Sequence, residues 1–333
     1  MEYKKIIVIP AYQPNERLIQ LISDINKKFH KNIEIIVVDD GSGKKYSSIF
    51  ESILHCCTVL HHSVNKGKGR ALKTAYEYVM KHYLDEKYII VTVDCDGQHS
   101  LDDVIKLFEY NISHPDTLVL GSRKLNKDVP LRSKIGNTIT RSVFSFATHT
   151  FIYDTQTGLR SFSNDLIQFM IDTEGERFEY EMNVLLYSSR HFIPIHEIEI
   201  QTIYIDNNSG SHFHTIRDSY RIYKQIIKFS WLPLVSFSLD FVFFILLLQC
   251  FSLPLILSYL ISKVLSFLFF ALNKQSRRVL SFYSCLTYFI LMVIGLLLIN
   301  GLQYFSLSII ISKFIVEVFI VLVNCLFISF FQK

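Results

Sequence analysis

Residues 88–99, YIIVTVDCDGQH, begin as a strand and end as a cluster of oxygen donors. Tyr88–Val93 is a short apolar, β-branched run, and Asp94, Cys95, Asp96, Gly97, Gln98 and His99 follow it directly. Ile6–Ile9, Ile33–Val38, Thr58–Leu60 and Leu118–Leu120 have the same character. Helical patterns such as Ala71, Leu72, Ala75 and Val79 lie between them. This alternation predicts an α/β fold, a mostly parallel sheet with helices on both faces. Ligands of such sheets sit beyond the carboxyl ends of the strands. Polar clusters fall at those ends: Pro10, Ala11 and Tyr12 after the first run, and Asp39, Asp40, Gly41 and Ser42 after the second. Asp94 to His99 follow the fourth, and Gly121, Ser122 and Arg123 the fifth. One cluster is ordinary turn chemistry. Several on one edge describe a cleft.

Neither common phosphate loop is present. There is no G-x-x-x-x-G-K-[ST], and Gly67-Lys68-Gly69 lacks the third glycine of a dinucleotide fingerprint. A nucleotide bound here needs another phosphate partner, and Mg²⁺ or Mn²⁺ is the expected one. Hard cations take oxygen ligands from one or two carboxylates plus substrate phosphates. Asp94 and Asp96 are two apart, so on a continuing strand they point to opposite faces. Both serve the cleft only if the strand ends there and the chain turns, which Gly97 permits. Cys95 is expected to be packed, and His61 and His62 to lack a nearby partner.

The chain changes solvent near Trp231. Its 333 residues suffice for two domains. Through Trp231, 28 acidic residues balance 28 basic ones; the rest holds six basic and two acidic, the whole net charge of +4. No clustered basic excess marks a nucleic-acid partner. The six cysteines form no CxxC pair, which suits a reduced compartment. The apolar run after Lys4 and Lys5 is too short for a signal peptide, so the first half is expected in the cytosol.

Apolar stretches at 234–250, 253–272, 282–300 and 305–331 each approach the ~20 residues of a spanning helix. They lack the polar face of a soluble core helix. The break between the second and third holds Lys274, Arg277 and Arg278, while the first and third breaks hold no charge. The positive-inside rule then places that loop and both termini in the cytosol, giving a multi-pass protein of the cell membrane. Asp240, Lys263, Lys313 and Glu317 lie within the stretches, as a headgroup path or as interhelical glue. Ahead of them Ile216, Tyr220, Tyr223, Ile226 and Ile227 repeat at helical spacing beside Arg217, Arg221, Lys224 and Lys228. A basic amphipathic helix of this kind lies on an anionic leaflet, so membrane lipid is an expected partner.

Ile9-Pro10-Ala11-Tyr12, Val37-Val38-Asp39-Asp40-Gly41-Ser42, Asn65-Lys66-Gly67-Lys68-Gly69 and Asp94-Cys95-Asp96-Gly97-Gln98-His99 occur in this order. With them the first half resembles family 2 glycosyltransferases, closest to the polyprenyl-phosphate branch that includes dolichyl-phosphate mannose and glucose synthases. Further matches are Gly121-Ser122-Arg123, Asp154-Thr155-Gln156-Thr157-Gly158-Leu159-Arg160 and Glu176-Arg177-Phe178-Glu179-Tyr180-Glu181. The apolar tail resembles the GtrA family, with Leu272-Asn273-Lys274 and Val323-Asn324-Cys325 as Asn-centred patches.

The resemblance implies a Rossmann-like GT-A domain over 1–212, a juxtamembrane helix over 213–231 and an all-α four-helix transmembrane domain over 232–333. It implies inverting transfer from a nucleotide sugar, UDP-linked by preference, to polyprenyl phosphate, as in cell-envelope decoration. Pro10, Ala11, Tyr12 and Asp40 would border the nucleoside, with Asp39 and Lys68 nearby and Asp94 on the ribose side. Asp96 would be the principal metal ligand, and Gln98 would lie near the donor sugar. Arg123 and Arg132 would draw in the acceptor phosphate, whose oxygens suit forked donors. Asp154 and Glu179 are the acidic candidates beside the reacting carbon, although of Glu179 and Glu181 one is expected to be a plain helix face. A phosphate monoester is mostly a dianion near neutrality, its second pKa being about 6, so Asp154 can equally be a positioning residue.

Other readings carry different marks. A processive polysaccharide synthase usually has Q-x-x-R-W, whereas Trp231 here follows Lys228-Phe229-Ser230. A transporter of lipid-linked sugars would need only nucleotide-sugar binding from the first half. A GDP-mannose donor stays open, as does homo-oligomer formation.

Overall fold

The computed structural model describes residues 3–30, 32–123, 131–148, 150–201, 215–229, 231–272, 282–305 and 307–331. The chain divides into two compact units, 1–141 with 152–225 and 142–151 with 226–333.

The first unit is built on β1 (Lys4–Ala11), β2 (Glu34–Asp39), β3 (Thr58–His61), β4 (Tyr88–Thr92), β5 (Leu118–Arg123), β6 (Arg160–Ser163) and β7 (Ile195–Ile200). They form one sheet in the order β3-β2-β1-β4-β6-β5-β7. β1, β2, β3 and β4 pair parallel, as do β5 and β7, while β6 runs antiparallel between β4 and β5. The predicted runs are β1 to β5; β6 and β7 were not among them.

Parallel strands covered on both faces read as unbroken apolar runs. Ile6 to Ile9, Ile36 to Val38 and Ile89 to Val91 are all fully buried. Helices α1 (Arg17–Lys28), α3 (Lys68–His82) and α4 (Leu101–Ser113) cover them with Leu18 and Ile25, Ala75 and Val79, and Leu107 and Phe108. α2 (Ser47–Ile53) adds Phe50. Each buried Leu, Ile or Val contributes roughly 1.5–3 kcal/mol, so Ile7→Ala should cost about 2–5 kcal/mol. α4 starts where Ser100 accepts the Asp102 N–H, and Asp102 and Asp103 suit the positive end of its dipole. α5 (Leu131–Thr148), α6 (Ile167–Asp172), α7 (Glu179–His191) and α8 (Thr215–Phe229) complete the helices up to 229.

Strand order turns back at β1, which lies between β2 and β4. A crevice opens beyond the carboxyl ends at such a switch point. That places the Tyr12 and Asp94–Asp96 segments side by side.

The second unit contains α9 (Trp231–Ile245), a π-helical turn (Leu246–Cys250), α10 (Leu255–Leu272), α11 (Phe282–Tyr304) and α12 (Ile309–Phe331). Among the described residues α10 is the helix long and apolar enough to cross a membrane; shorter apolar stretches span Val235–Cys250 and Tyr288–Tyr304. Large apolar side chains such as Leu257, Phe289, Leu297 and Phe314 are exposed, whereas Asp240, Lys263, Lys313 and Glu317 are buried. Lys313 Nζ lies 2.7 Å from Asp240 and 2.9 Å from Glu317, and Lys263 Nζ lies 3.2 Å from Asp240 and 2.6 Å from Glu317. Ser262 Oγ donates to Asp240 at 2.8 Å. The quartet thus ties α9, α10 and α12 together with every charge paired. Lys274, Arg277, Arg278, the 212/213 boundary and the side chains of Asn324 and Cys325 lie outside the described residues.

Candidate active site

The cleft beyond β1 and β4 is lined by Pro10, Ala11, Tyr12, Asp40, Lys68, Asp94, Cys95 and Asp96. Asn65, Gly67, Ala71, Arg177, Phe178, Arg217, Asp218 and Arg221 complete its wall. β4 ends at Thr92, and the chain turns through Gly97 at φ 74°, a left-handed conformation that glycine adopts without strain. The turn brings both aspartates to the cleft, as the spacing argument requires.

Asp94 is held from both sides. Lys68 Nζ is 2.8 Å from its Oδ1 and His99 Nε2 is 3.3 Å from its Oδ2. Thr92 Oγ1 donates to the Gly158 carbonyl at 2.7 Å, drawing Gly158 against Asp94, where any Cβ would strike the carboxylate. Burial pushes the Asp94 carboxyl up, but Lys68 and His99 outweigh it and hold it well below the usual carboxylate range. Lys68 also reaches Glu181 Oε1 at 2.9 Å. Burial would lower its ammonium, yet the two carboxylates raise it above the ordinary lysine value. Its charge is therefore already neutralised within the protein.

Asp96 differs. Its Oδ1 accepts the Gln98 N–H at 3.0 Å, and no cation of the described residues pairs with it. Burial, then the charge of Asp94, raises its carboxyl above the ordinary aspartate value. Among the described residues no group of three or more His, Cys, Asp or Glu side chains forms a metal cage. The donor set fits a hard divalent cation that takes its remaining ligands from substrate oxygens. Cys95 packs against the core, its thiol pushed up to about 12 by burial and then by Asp94 and Asp96.

Asp39 and Asp40 both hold neighbouring loops, and Asp40 also borders the cleft. Asp40 is 3 % exposed and accepts the Lys66 and Gly67 N–H groups at 2.9 and 2.7 Å, fixing the loop before α3. Asp39 accepts the Ser42 N–H at 2.8 Å and does not line the cleft. His61 and His62, expected to lack partners, sit on these acids: His61 Nδ1 is 3.0 Å from Asp39 and His62 Nδ1 2.7 Å from Asp40. Register explains it, since β2 and β3 place Asp39 opposite His61.

Arg123 and Asp154 form a second cluster. Asp154, 1 % exposed, accepts Arg123 Nε at 2.7 Å, Arg123 Nη2 at 3.3 Å and the backbone N–H groups of Arg123 and Gln156. Glu197 of β7 accepts the Tyr153 and Asp154 N–H groups, anchoring the segment to the sheet. With both oxygens engaged, this carboxylate orients the Arg123 guanidinium. Arg132 lies in α5, its side chain outside the described residues.

The two glutamates at the start of α7 make different contacts. Glu179 Oε1 accepts the Glu176 and Arg177 N–H groups at 3.3 Å each, a turn at the helix start, whereas Glu181 meets Lys68 at the cleft. Of the two, Glu181 is the one in contact with a cleft-lining side chain, Lys68. Arg217 and Arg221, read in the sequence as part of a basic amphipathic helix, line the cleft.

Residues 6–175 match glycosyl transferase family 2. The chain belongs to that family. This glycosyltransferase is 28% identical to the UDP-N-acetylglucosamine–dolichyl-phosphate N-acetylglucosaminyltransferase of Methanococcus voltae, over 60% of this chain and 86% of that one. It is 27% identical to the dolichyl-phosphate beta-glucosyltransferase of Saccharomyces cerevisiae, covering 66% and 72%. Glucosyl-3-phosphoglycerate synthase from Mycobacterium tuberculosis, in complex with phosphoglyceric acid, superposes with a TM-score of 0.52 at 14% identity, over 68% of this chain and 80% of that one. The same synthase in complex with Mn²⁺, UDP and glucosyl-3-phosphoglycerate gives 0.50 at 15% identity and the same coverage. The likeness is one of fold: the first unit of the glycosyltransferase is a GT-A-like α/β domain.

Proposed function

We propose that this glycosyltransferase moves a sugar from a UDP-sugar to polyprenyl phosphate at the cytosolic face of the cell membrane, inverting the anomeric centre. The observation that carries the reading is Asp96, a part-buried carboxylate at the cleft without a cation of its own. Asp96, beside Asp94, would hold Mg²⁺ or Mn²⁺. Such a cation, when bound, acts as a Lewis acid on the leaving diphosphate.

The chain's own groups do the rest. Pro10, Ala11 and Tyr12 border the nucleoside, and Asp40 holds the Lys66-Gly67 loop that forms the opposite wall. Gln98 stands next to Asp96 on the donor-sugar side. Arg123, oriented by Asp154, and Arg132 receive the acceptor phosphate. That phosphate is already a dianion near neutrality, its second pKa being about 6, so the reaction needs no general base.

The second unit fits the lipid acceptor. Buried charges under an apolar exterior suit helices solvated by lipid. We assign 1–212 to catalysis, 213–231 to a juxtamembrane helix and 232–333 to a GtrA-like, multi-pass membrane domain. Two curated relatives named for dolichyl-phosphate transfer support a polyprenyl-phosphate acceptor.

The test supplies membranes containing the full chain with undecaprenyl phosphate, Mn²⁺ and labelled nucleotide sugars one at a time. Transfer of one label into organic-extractable lipid is expected. Bound nucleotide without transfer from any donor would favour a transport role instead.

A further inference from the structure

We propose that Arg217 and Arg221 of α8 bind phosphate oxygens in the cleft, a role that rests on the glycosyltransferase reading above. The need for such groups comes from charge. A diphosphate brings several negative charges into a cleft that already contains Asp40, Asp94, Asp96 and Asp218. Lys68, the cation expected there, is shared between Asp94 and Glu181 and has no spare charge to offer. Arg177 donates to Asn65 Oδ1 at 3.1 Å, which holds its guanidinium against the loop.

Among the described residues that line the cleft, Arg217 and Arg221 are the cations left. Arg217 is exposed at the cleft and makes no hydrogen bond or ion pair with the described residues. Arg221 has Asp218 at 3.7 Å, long for a charged pair, and Asp218 is itself 4 % exposed. The two arginines are four apart, so one helix face presents both guanidinium groups. Asp218 and Ile222 lie on the buried side of the helix.

The basic stripe of α8 also changes character along its length. Arg217 and Arg221 stand where it borders the cleft, and Lys224 and Lys228, both exposed, continue it beyond. Forked guanidinium donors match phosphate oxygens in pairs, whereas lysine is a point charge suited to a loosely held surface. The amphipathic pattern therefore contains two functions, a phosphate grip at one end and a basic surface at the other. The phosphate oxygens can come from the donor's diphosphate or from the acceptor's phosphate.

Titrating UDP with Mn²⁺ onto the full chain, and measuring KM for undecaprenyl phosphate, separates these sources in wild type, Arg217→Gln/Arg221→Gln and Lys224→Gln. If the donor is gripped, the double variant loses UDP affinity about 10-fold or more while uridine binding is unchanged. If the acceptor is gripped, UDP affinity holds and KM for the lipid rises by a similar factor. Lys224→Gln should alter neither. Unchanged UDP affinity and unchanged KM in the double variant would overturn the inference and leave the glycosyltransferase reading standing. A wild type that binds neither UDP nor GDP would overturn both. Arg217 has no partner among the described residues to lose, so Arg217→Gln alone decides the matter if the double variant does not fold.

Discussion

Lys68 in the cleft and Lys313 in the helical unit each sit between two carboxylates. Lys68 lies 2.8 and 2.9 Å from Asp94 and Glu181; Lys313 lies 2.7 and 2.9 Å from Asp240 and Glu317. The surroundings then diverge. The helical unit adds a second lysine, Lys263, and the four charges cancel with each one paired. The cleft adds Asp96 and two arginines, Arg217 with no partner among the described residues and Arg221 with Asp218 at 3.7 Å. A closed set of charges holds helices together. An open set waits for a ligand.

The largest effect should come from opening the site further. Asp96→Ala is expected to lower turnover about a thousandfold or more, because a neutralised leaving group is worth several kcal/mol. Near-normal turnover would place the cation elsewhere. Next comes the closed set: Lys313→Met leaves two buried carboxylates with one cation and should cost about 3–5 kcal/mol. Unfolding of the full chain in detergent measures it. Replacing all four charges by apolar residues of similar volume should recover most of that loss, and a quartet with a headgroup role would instead lose activity in that stable variant.

Asp154→Asn weakens the orientation of Arg123. A charge-assisted bond of about 1.5–3 kcal/mol predicts a fall in kcat/KM of roughly 10- to 100-fold with the pH profile unchanged. A shifted acid limb would make Asp154 a base. The aspartates of the cleft should also separate by sign in thermal unfolding without metal. The Asp96 carboxyl is raised, so the folded chain holds its proton more tightly than the unfolded chain, and its ionised form costs stability above the ordinary aspartate pKa. Asp96→Asn should then raise the unfolding midpoint near neutrality. Asp94 is depressed, so its contribution is present near neutrality and lost on acidification, and Asp94→Asn should lower the midpoint. The smallest effect concerns thiols. Cys56 is exposed, whereas burial pushes Cys57 and Cys95 up to about 12, so maleimide at neutral pH should label Cys56 and spare the other two.

Much of the first unit is legible in sequence because its central strands are buried on both faces and read as unbroken apolar runs. β6 hides because RSFS carries Arg160 and Ser161, whose polarity the fold buries, and β7 hides because IHEIEI mixes charge into its apolar residues. Asp94 and Asp96 are legible from their place at a strand end. Glu181 is not, since residues two apart at a helix start differ only in the direction they face. Helical periodicity finds the basic stripe of α8 but says nothing of what that stripe meets. His61 and His62 required the register of β3 against β2, which no local pattern contains.

Mn²⁺ binding to the full chain, followed by electron paramagnetic resonance with and without UDP, tests the open cleft most directly. The account predicts binding that strengthens with UDP and is lost in Asp96→Ala, while the variant with all four quartet charges replaced binds as wild type does. UDP-dependent Mn²⁺ binding that survives in Asp96→Ala would contradict it.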